Sequence, residues 1–90
     1  MVRYHIIVKG LVQGVGFRFY AKQNAIMSNI KGWVKNNIDG TVEIDAQGDK
    51  ANIDNFVKAI KKGSPFSKVE SLDIKELPKL QNYESFEIRY

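Results

Sequence analysis

A glycine-rich turn between a strand-like run and a helix-like run is the feature that most constrains this chain. Three glycines fall within residues 10–16, where strand character (Tyr4 to Lys9) gives way to helix character (Phe17 to Ser28). Glycine lets the backbone N–H groups of such a turn point inward without a Cβ in the way. The first turn of a helix also leaves about four N–H groups unpaired and carries a positive partial charge. The segment Gly10–Arg18 therefore predicts an anion site at a helix start.

The expected anion is a small phosphate group with Arg18 as its charged wall. Gly14, Val15 and Gly16 offer no side chain that could cap the helix, so a bound anion can take that place. A nucleotide P-loop is excluded because Val15 stands where its second glycine is required. The dinucleotide fingerprint is excluded because its last glycine position is Phe19. The alternative is a plain tight turn followed by an ordinary surface arginine.

Composition limits the remaining function classes. The net charge of +4 favours anionic partners, and the absence of cysteine excludes a thiol nucleophile and a cysteine-based metal site. The chain begins directly on a strand, and no apolar run approaches the roughly 20 residues of a membrane span. We expect a single domain over residues 1–90, without a membrane segment, in the cytoplasm.

Hydrophobic periodicity predicts the order βαββαβ followed by a short C-terminal strand. This order indicates an α+β, ferredoxin-like sandwich, in which an antiparallel sheet carries two helices on one face. Asp49 is predicted to cap the second helix, and the broken alternation after Val69 predicts a β-bulge. The predicted strands are Arg3–Lys9, Ile30–Asn36, Thr41–Gln47, Val69–Leu77 and Phe86–Tyr90.

The third predicted strand alternates cleanly. Its apolar residues are expected to face the core, while Glu43, Asp45 and Gln47 are expected to face water. The Asp39-Gly40 turn before it predicts antiparallel pairing with the second strand. One face of the sheet should therefore be solvated.

The chemical inventory favours catalysis by positioning and electrostatics. His5 is the only histidine and is more typical of a structural or surface residue, and no cluster suggests a metal. A carboxylate, with a pKa of about 4, can leave without a general acid, so a carboxylic–phosphoric anhydride suits this inventory better than an ester. The attacking water then needs a polar holder. Asn36 and Asn37 both qualify, and the physics of the sequence leaves the choice between them open.

Two motifs resemble the acylphosphatase family: Gly10-Leu-Val-Gln-Gly-Val-Gly-Phe-Arg18 and Gly32-Trp-Val-Lys-Asn36. The similarity continues through Asp39-Gly-Thr-Val42 to the closing Phe86-Glu-Ile-Arg-Tyr90. The resemblance implies metal-independent hydrolysis of acyl phosphates, without a cofactor or covalent intermediate. It assigns phosphate binding to Arg18 and to the backbone N–H groups of Gly14, Val15, Gly16, Phe17 and Arg18, and it assigns water orientation to Asn36.

The implied substrate is a small acyl phosphate, and inorganic phosphate is expected as product and competitive inhibitor. We expect the protein to be a monomer. Leu11 departs from the family, which often carries a basic residue there, and this weakens the predicted field at the loop. A nucleic-acid-binding module is disfavoured because Thr41–Gln47 lacks the aromatic residues that such sheets display. A regulatory domain that binds acyl or carbamoyl phosphate without catalysis is the third alternative.

Overall fold

The glycine-rich turn connects the first strand to the first helix, and the elements that follow have the predicted order. The computed structural model describes residues 1–90, and the predicted strand bounds differ from the observed ones by at most two residues. The elements are β1 (Val2–Leu11), α1 (Phe17–Met27), β2 (Lys31–Asn36), β3 (Val42–Gly48), α2 (Lys50–Lys62), β4 (Lys68–Leu77) and β5 (Phe86–Arg89).

The five strands form one sheet in the order β4-β1-β3-β2-β5. β1 pairs antiparallel with β3 and β4, and β2 pairs antiparallel with β3, as predicted. β5 departs from the predicted antiparallel sheet, because it lies parallel to β2 at the far edge. The connection 78–85 has to cross from β4 at one edge to β5 at the other, and the chain then re-enters the sheet in the direction of β2.

The predicted bulge lies in β4, opposite the last residues of β1. The β1–β4 register shifts between the pairs Lys9–Ser71 and Gly10–Val69, so that Glu70 has no partner across the ladder. This confirms the interpretation of the broken alternation in β4. It also places the irregularity directly before the glycine-rich turn.

Both helices pack on one face of the sheet around a single core. Alternate residues of the three central strands meet the apolar stripes of α1 and α2. Asp49 occupies the position before α2 but its side chain makes no capping bond, so this prediction was wrong in its chemistry. No helix combines the length and apolar character that crossing a bilayer requires. The core comprises Ile6, Val8, Val12, Phe17, Ala21, Ala25, Ile30, Val34, Val42, Ile44, Ala46, Ile53, Phe56, Ile60 and Phe86.

The opposite face of the sheet is less solvated than predicted. Asp45 and Gln47 are 2% and 7% exposed, and only Glu43 keeps partial access to water. The Arg3 guanidinium lies over Asp45 with two bonds of 2.9 and 2.8 Å, and it also donates to the carbonyl of Lys79. Gln47 exchanges two bonds with the backbone of Gln81. The crossing segment 78–85 therefore covers this end of the open face.

The Asp45–Arg3 pair should matter for stability. Asp45→Ala leaves a largely buried guanidinium without its carboxylate, and we expect it to lower the free energy of unfolding by roughly 3 kcal/mol. Urea titration followed by tryptophan fluorescence measures this loss. Glu43→Ala on the same strand serves as the control and should cost under about 1 kcal/mol, because its contact with His5 is partly solvated. Equal losses in the two variants would contradict the prediction.

Candidate active site

The turn between β1 and α1 is shaped by glycines in the left-handed region. Gly14 and Gly16 have φ values of +74° and +75°, and a Cβ at either position would meet no atom within 4 Å. Glycine is therefore required by the backbone conformation and not by space. Between them, Val15 packs against the core and anchors the turn. The turn is thus held in a shape that ordinary residues rarely adopt.

The backbone N–H groups of the turn and of the helix start have no partner within the protein. Helix α1 begins after Gly16, which makes no side-chain capping bond, and its first backbone bond runs from the N–H of Tyr20 to the carbonyl of Gly16. None of the N–H groups from residue 14 to residue 19 donates to a protein acceptor. These donors surround the positive end of α1, which is the environment that a phosphate group favours.

Arg18 is held by the end of the chain. Its Nη1 donates to the carbonyl of Arg89 at 3.2 Å, and its guanidinium carbon lies 4.6 Å from the centre of the Tyr90 ring. A guanidinium has five N–H donors, so most of them remain available beside the turn. No local pattern predicts this contact, because residues 18 and 89 meet only through the parallel pairing of β5 with β2.

Asn36 and Asn37 have different environments. Asn37 belongs to the β2–β3 turn, where its Nδ2 donates to Oγ1 of Thr41 at 3.1 Å. Asn36 ends β2 on the same face as the buried Val34, and its Oδ1 is buried without a hydrogen-bond partner. Asp39 accepts bonds from the hydroxyl and N–H of Thr41, which lower the pKa of its carboxyl and fix the turn.

A cavity of about 280 Å³ joins the two predicted halves of the site. Of the predicted residues, Gly14, Gly16, Phe17, Arg18 and Asn36 line it, whereas Val15 does not. A cavity of this size suits a phosphate with a short attached group. Part of the apolar wall comes from the motif itself, whereas Ile88 and Tyr90 come from the distant end of the chain, which periodicity could not place here. The lining residues are Val12, Gly14, Gly16, Phe17, Arg18, Phe19, Asn36, Ile88 and Tyr90.

Other candidate residues lie outside this cavity. His5 is on the open face of the sheet, where its Nε2 lies 2.7 Å from Oε2 of Glu43. Leu11, at the end of β1, is exposed and does not line the cavity. No three His, Cys, Asp or Glu side chains form a group that could hold a metal ion. The only charged side chain in the cavity wall is that of Arg18.

Similarity to known proteins extends along nearly the whole chain. Residues 4–88 match the family model described as Acylphosphatase. The acylphosphatase of Bacillus licheniformis is 48% identical over 90 residues, which cover 100% of both chains. The crystal structure of acylphosphatase from Bacillus subtilis has a TM-score of 0.97 at 47% identity, with 100% of both chains covered. An acylphosphatase structure from Coxiella burnetii has a TM-score of 0.93 at 32% identity, over 98% of this chain and 92% of that one.

Proposed function

The chain belongs to the acylphosphatase family, whose members hydrolyse the carboxyl–phosphate bond of acyl phosphates, and we propose that it does so with Arg18 and Asn36. Arg18 and the turn hold the phosphoryl group, and Asn36 holds the attacking water. The observation that carries this assignment is that Arg18, Asn36 and the glycines of the turn, whose N–H groups are free, line one cavity.

The phosphoryl oxygens are bound by the backbone N–H groups of Gly14, Val15, Gly16, Phe17 and Arg18. The Arg18 guanidinium adds charge-assisted bonds worth roughly 1.5–3 kcal/mol each. Because these N–H groups have no acceptor within the protein, none has to be released from another bond when charge builds up on the equatorial oxygens. The same donors would bind inorganic phosphate, so the product is expected to inhibit competitively.

Asn36 supplies the group that positions the nucleophile. Asn36 lines the cavity, and a side-chain amide can accept a hydrogen bond from a water held there. The Nδ2 group of the same amide can donate to the water or to a phosphoryl oxygen. When the water is held in line with the phosphorus, the reaction between water and acyl phosphate becomes effectively unimolecular, which lowers its entropic barrier.

No general acid or base is needed for the bond that breaks. The leaving carboxylate has a conjugate acid with a pKa of about 4, so it departs as the anion. No Asp, Glu or His side chain lines the cavity. As the water oxygen forms its bond to phosphorus, the proton of the water passes to a phosphoryl oxygen, and the products are a carboxylate and inorganic phosphate.

Hydrolysis of benzoyl phosphate, followed by its ultraviolet absorbance, tests this function directly. Release of benzoate with competitive inhibition by inorganic phosphate is the expected result. Binding of benzoyl phosphate without turnover would instead favour a regulatory domain that binds acyl phosphates. Neither binding nor turnover would overturn the proposal.

Activity is expected to survive removal of divalent metals. Every role above is filled by protein groups, so dialysis against EDTA should leave kcat for benzoyl phosphate within about 2-fold of the untreated value. The rate is measured before dialysis, after it, and after added Mg²⁺ or Zn²⁺. Loss of activity that an added metal restores would contradict the metal-free scheme.

The proposal also covers the domain organisation, oligomeric state, partners and cellular compartment of the protein. Residues 1–90 act as one domain because their core is continuous, and they act as a monomer because the cavity is complete within one chain. Nucleic acid is not an expected partner, since Glu43 and Asp45 on the open face are paired with His5 and Arg3. Association with a membrane is not expected either, and the cytoplasm stays the predicted compartment.

A further inference from the structure

One side chain ties together the two halves of the proposed active site. We propose that Gln13 is a positioning residue that fixes the phosphate-binding turn relative to the end of β2, which carries Asn36. This inference rests on the proposed roles of Arg18 and Asn36. It adds a residue whose side chain does not line the cavity.

The tie consists of two short hydrogen bonds from a single amide. Nε2 of Gln13 donates to the carbonyl of Asn37 at 2.7 Å and to the carbonyl of Thr41 at 2.9 Å. Both N–H groups of the Gln13 amide are therefore used. Gln13 directly precedes Gly14 at the start of the turn, and Asn37 directly follows Asn36. The tie thus lies one residue from each half of the site.

No other hydrogen bond performs this task. The pairing of β1 with β3 ends at Val8 and Val42, so the ladder does not reach the turn. Beyond that point, the bonds of Gln13 are the only hydrogen bonds between residues 12–19 and residues 36–41. Arg18 is held by the β5 side of the site and not by this turn. Without Gln13, the two halves are connected only by packing.

Glutamine suits this position because the two acceptors are both carbonyl oxygens. A methionine of similar length has no donor, and a glutamate places a carboxylate against two oxygens that repel it. In-line attack depends on the relative placement of water and phosphorus, and a displacement of about 1 Å can cost 10²-fold in rate. Phosphate binding depends on the turn and Arg18 alone, so it should be affected less.

Gln13→Met and Gln13→Glu are the test variants, and Gln47→Met is the matched control. Gln47 also joins a strand to a distant segment through two amide bonds, to Gln81, but on the open face. We expect kcat for benzoyl phosphate to fall about 10- to 100-fold in both Gln13 variants, with the inhibition constant of inorganic phosphate changed less than about 3-fold. Gln47→Met should keep the wild-type kcat, while its midpoint of urea unfolding falls as much as that of Gln13→Met.

Combining Gln13→Met with Asn36→Ala shows whether Gln13 acts through Asn36. If it does, Gln13→Met lowers kcat in the wild-type background but has little further effect when Asn36 is already absent. The same fold-loss in both backgrounds, or a wild-type kcat in Gln13→Met, would overturn the inference while leaving the proposed function intact. A wild-type kcat in Asn36→Ala alone would instead refute the proposed role of Asn36, and with it this inference.

Discussion

Arg18→Lys is expected to raise both KM for benzoyl phosphate and the inhibition constant of inorganic phosphate by about 10²-fold or more. The reason is that each lost charge-assisted bond to the phosphate is worth roughly 1.5–3 kcal/mol. Lysine keeps the positive charge but presents a point charge on a flexible stem in place of a planar fork. It also loses the fixed position of the guanidinium between the carbonyl of Arg89 and the ring of Tyr90.

The control for this prediction is the same substitution at Arg89. Its guanidinium lies 4.8 Å from the centre of the Trp33 ring and outside the cavity, whereas only its backbone carbonyl contacts Arg18. Arg89→Lys should therefore leave both constants within about 2-fold of wild type. Steady-state kinetics with phosphate as inhibitor measures all three proteins. Wild-type constants in Arg18→Lys would refute the phosphate cradle.

Asn36→Ala is expected to lower kcat for benzoyl phosphate by roughly 10²–10³-fold, as the loss of one preorganised polar group does in other enzymes. The inhibition constant of inorganic phosphate should change much less, because the turn and Arg18 are untouched. A loss confined to kcat would mean that Asn36 acts on the water and not on ground-state binding.

Asn37→Ala is the comparison that makes the result specific. The Nδ2 group of Asn37 donates a hydrogen bond to Oγ1 of Thr41 within the β2–β3 turn, and Asn37 does not line the cavity. We expect a loss of only a few-fold in kcat, through a loosened turn. If Asn36→Ala turned over at the wild-type rate and Asn37→Ala did not, the water-holding role would belong to Asn37.

The predictable parts of the structure are those recorded in local periodicity and turn chemistry. The Gly14 and Gly16 turn, the hairpin at Asp39-Gly40 and the bulge in β4 each follow from residues that are neighbours in sequence. The choice between Asn36 and Asn37 came from the family resemblance, because alternation alone does not say where β2 stops. In the structure, Asn36 ends the strand and Asn37 begins the turn.

The parts that periodicity missed depend on contacts between distant segments. Burial of Asp45 arises from Arg3 and from the crossing segment 78–85, which has no regular pattern of its own. The placement of Arg18 against β5 depends on the parallel pairing with β2, and residues 18 and 89 carry no shared local signal. Gln13 lies within the first motif, but its acceptors are backbone carbonyls, which every residue type provides.

The free N–H groups of the turn have an evolutionary consequence. Since the main chain supplies most of the proposed phosphate donors, binding is inherited through backbone shape and not through the identity of each side chain. Val15 and Phe17 can therefore drift among apolar residues that still anchor the turn, whereas Gly14 and Gly16 cannot drift without strain at their positive φ angles. Under the proposed roles, selection on phosphate binding therefore acts on the shape of the turn and on very few side chains.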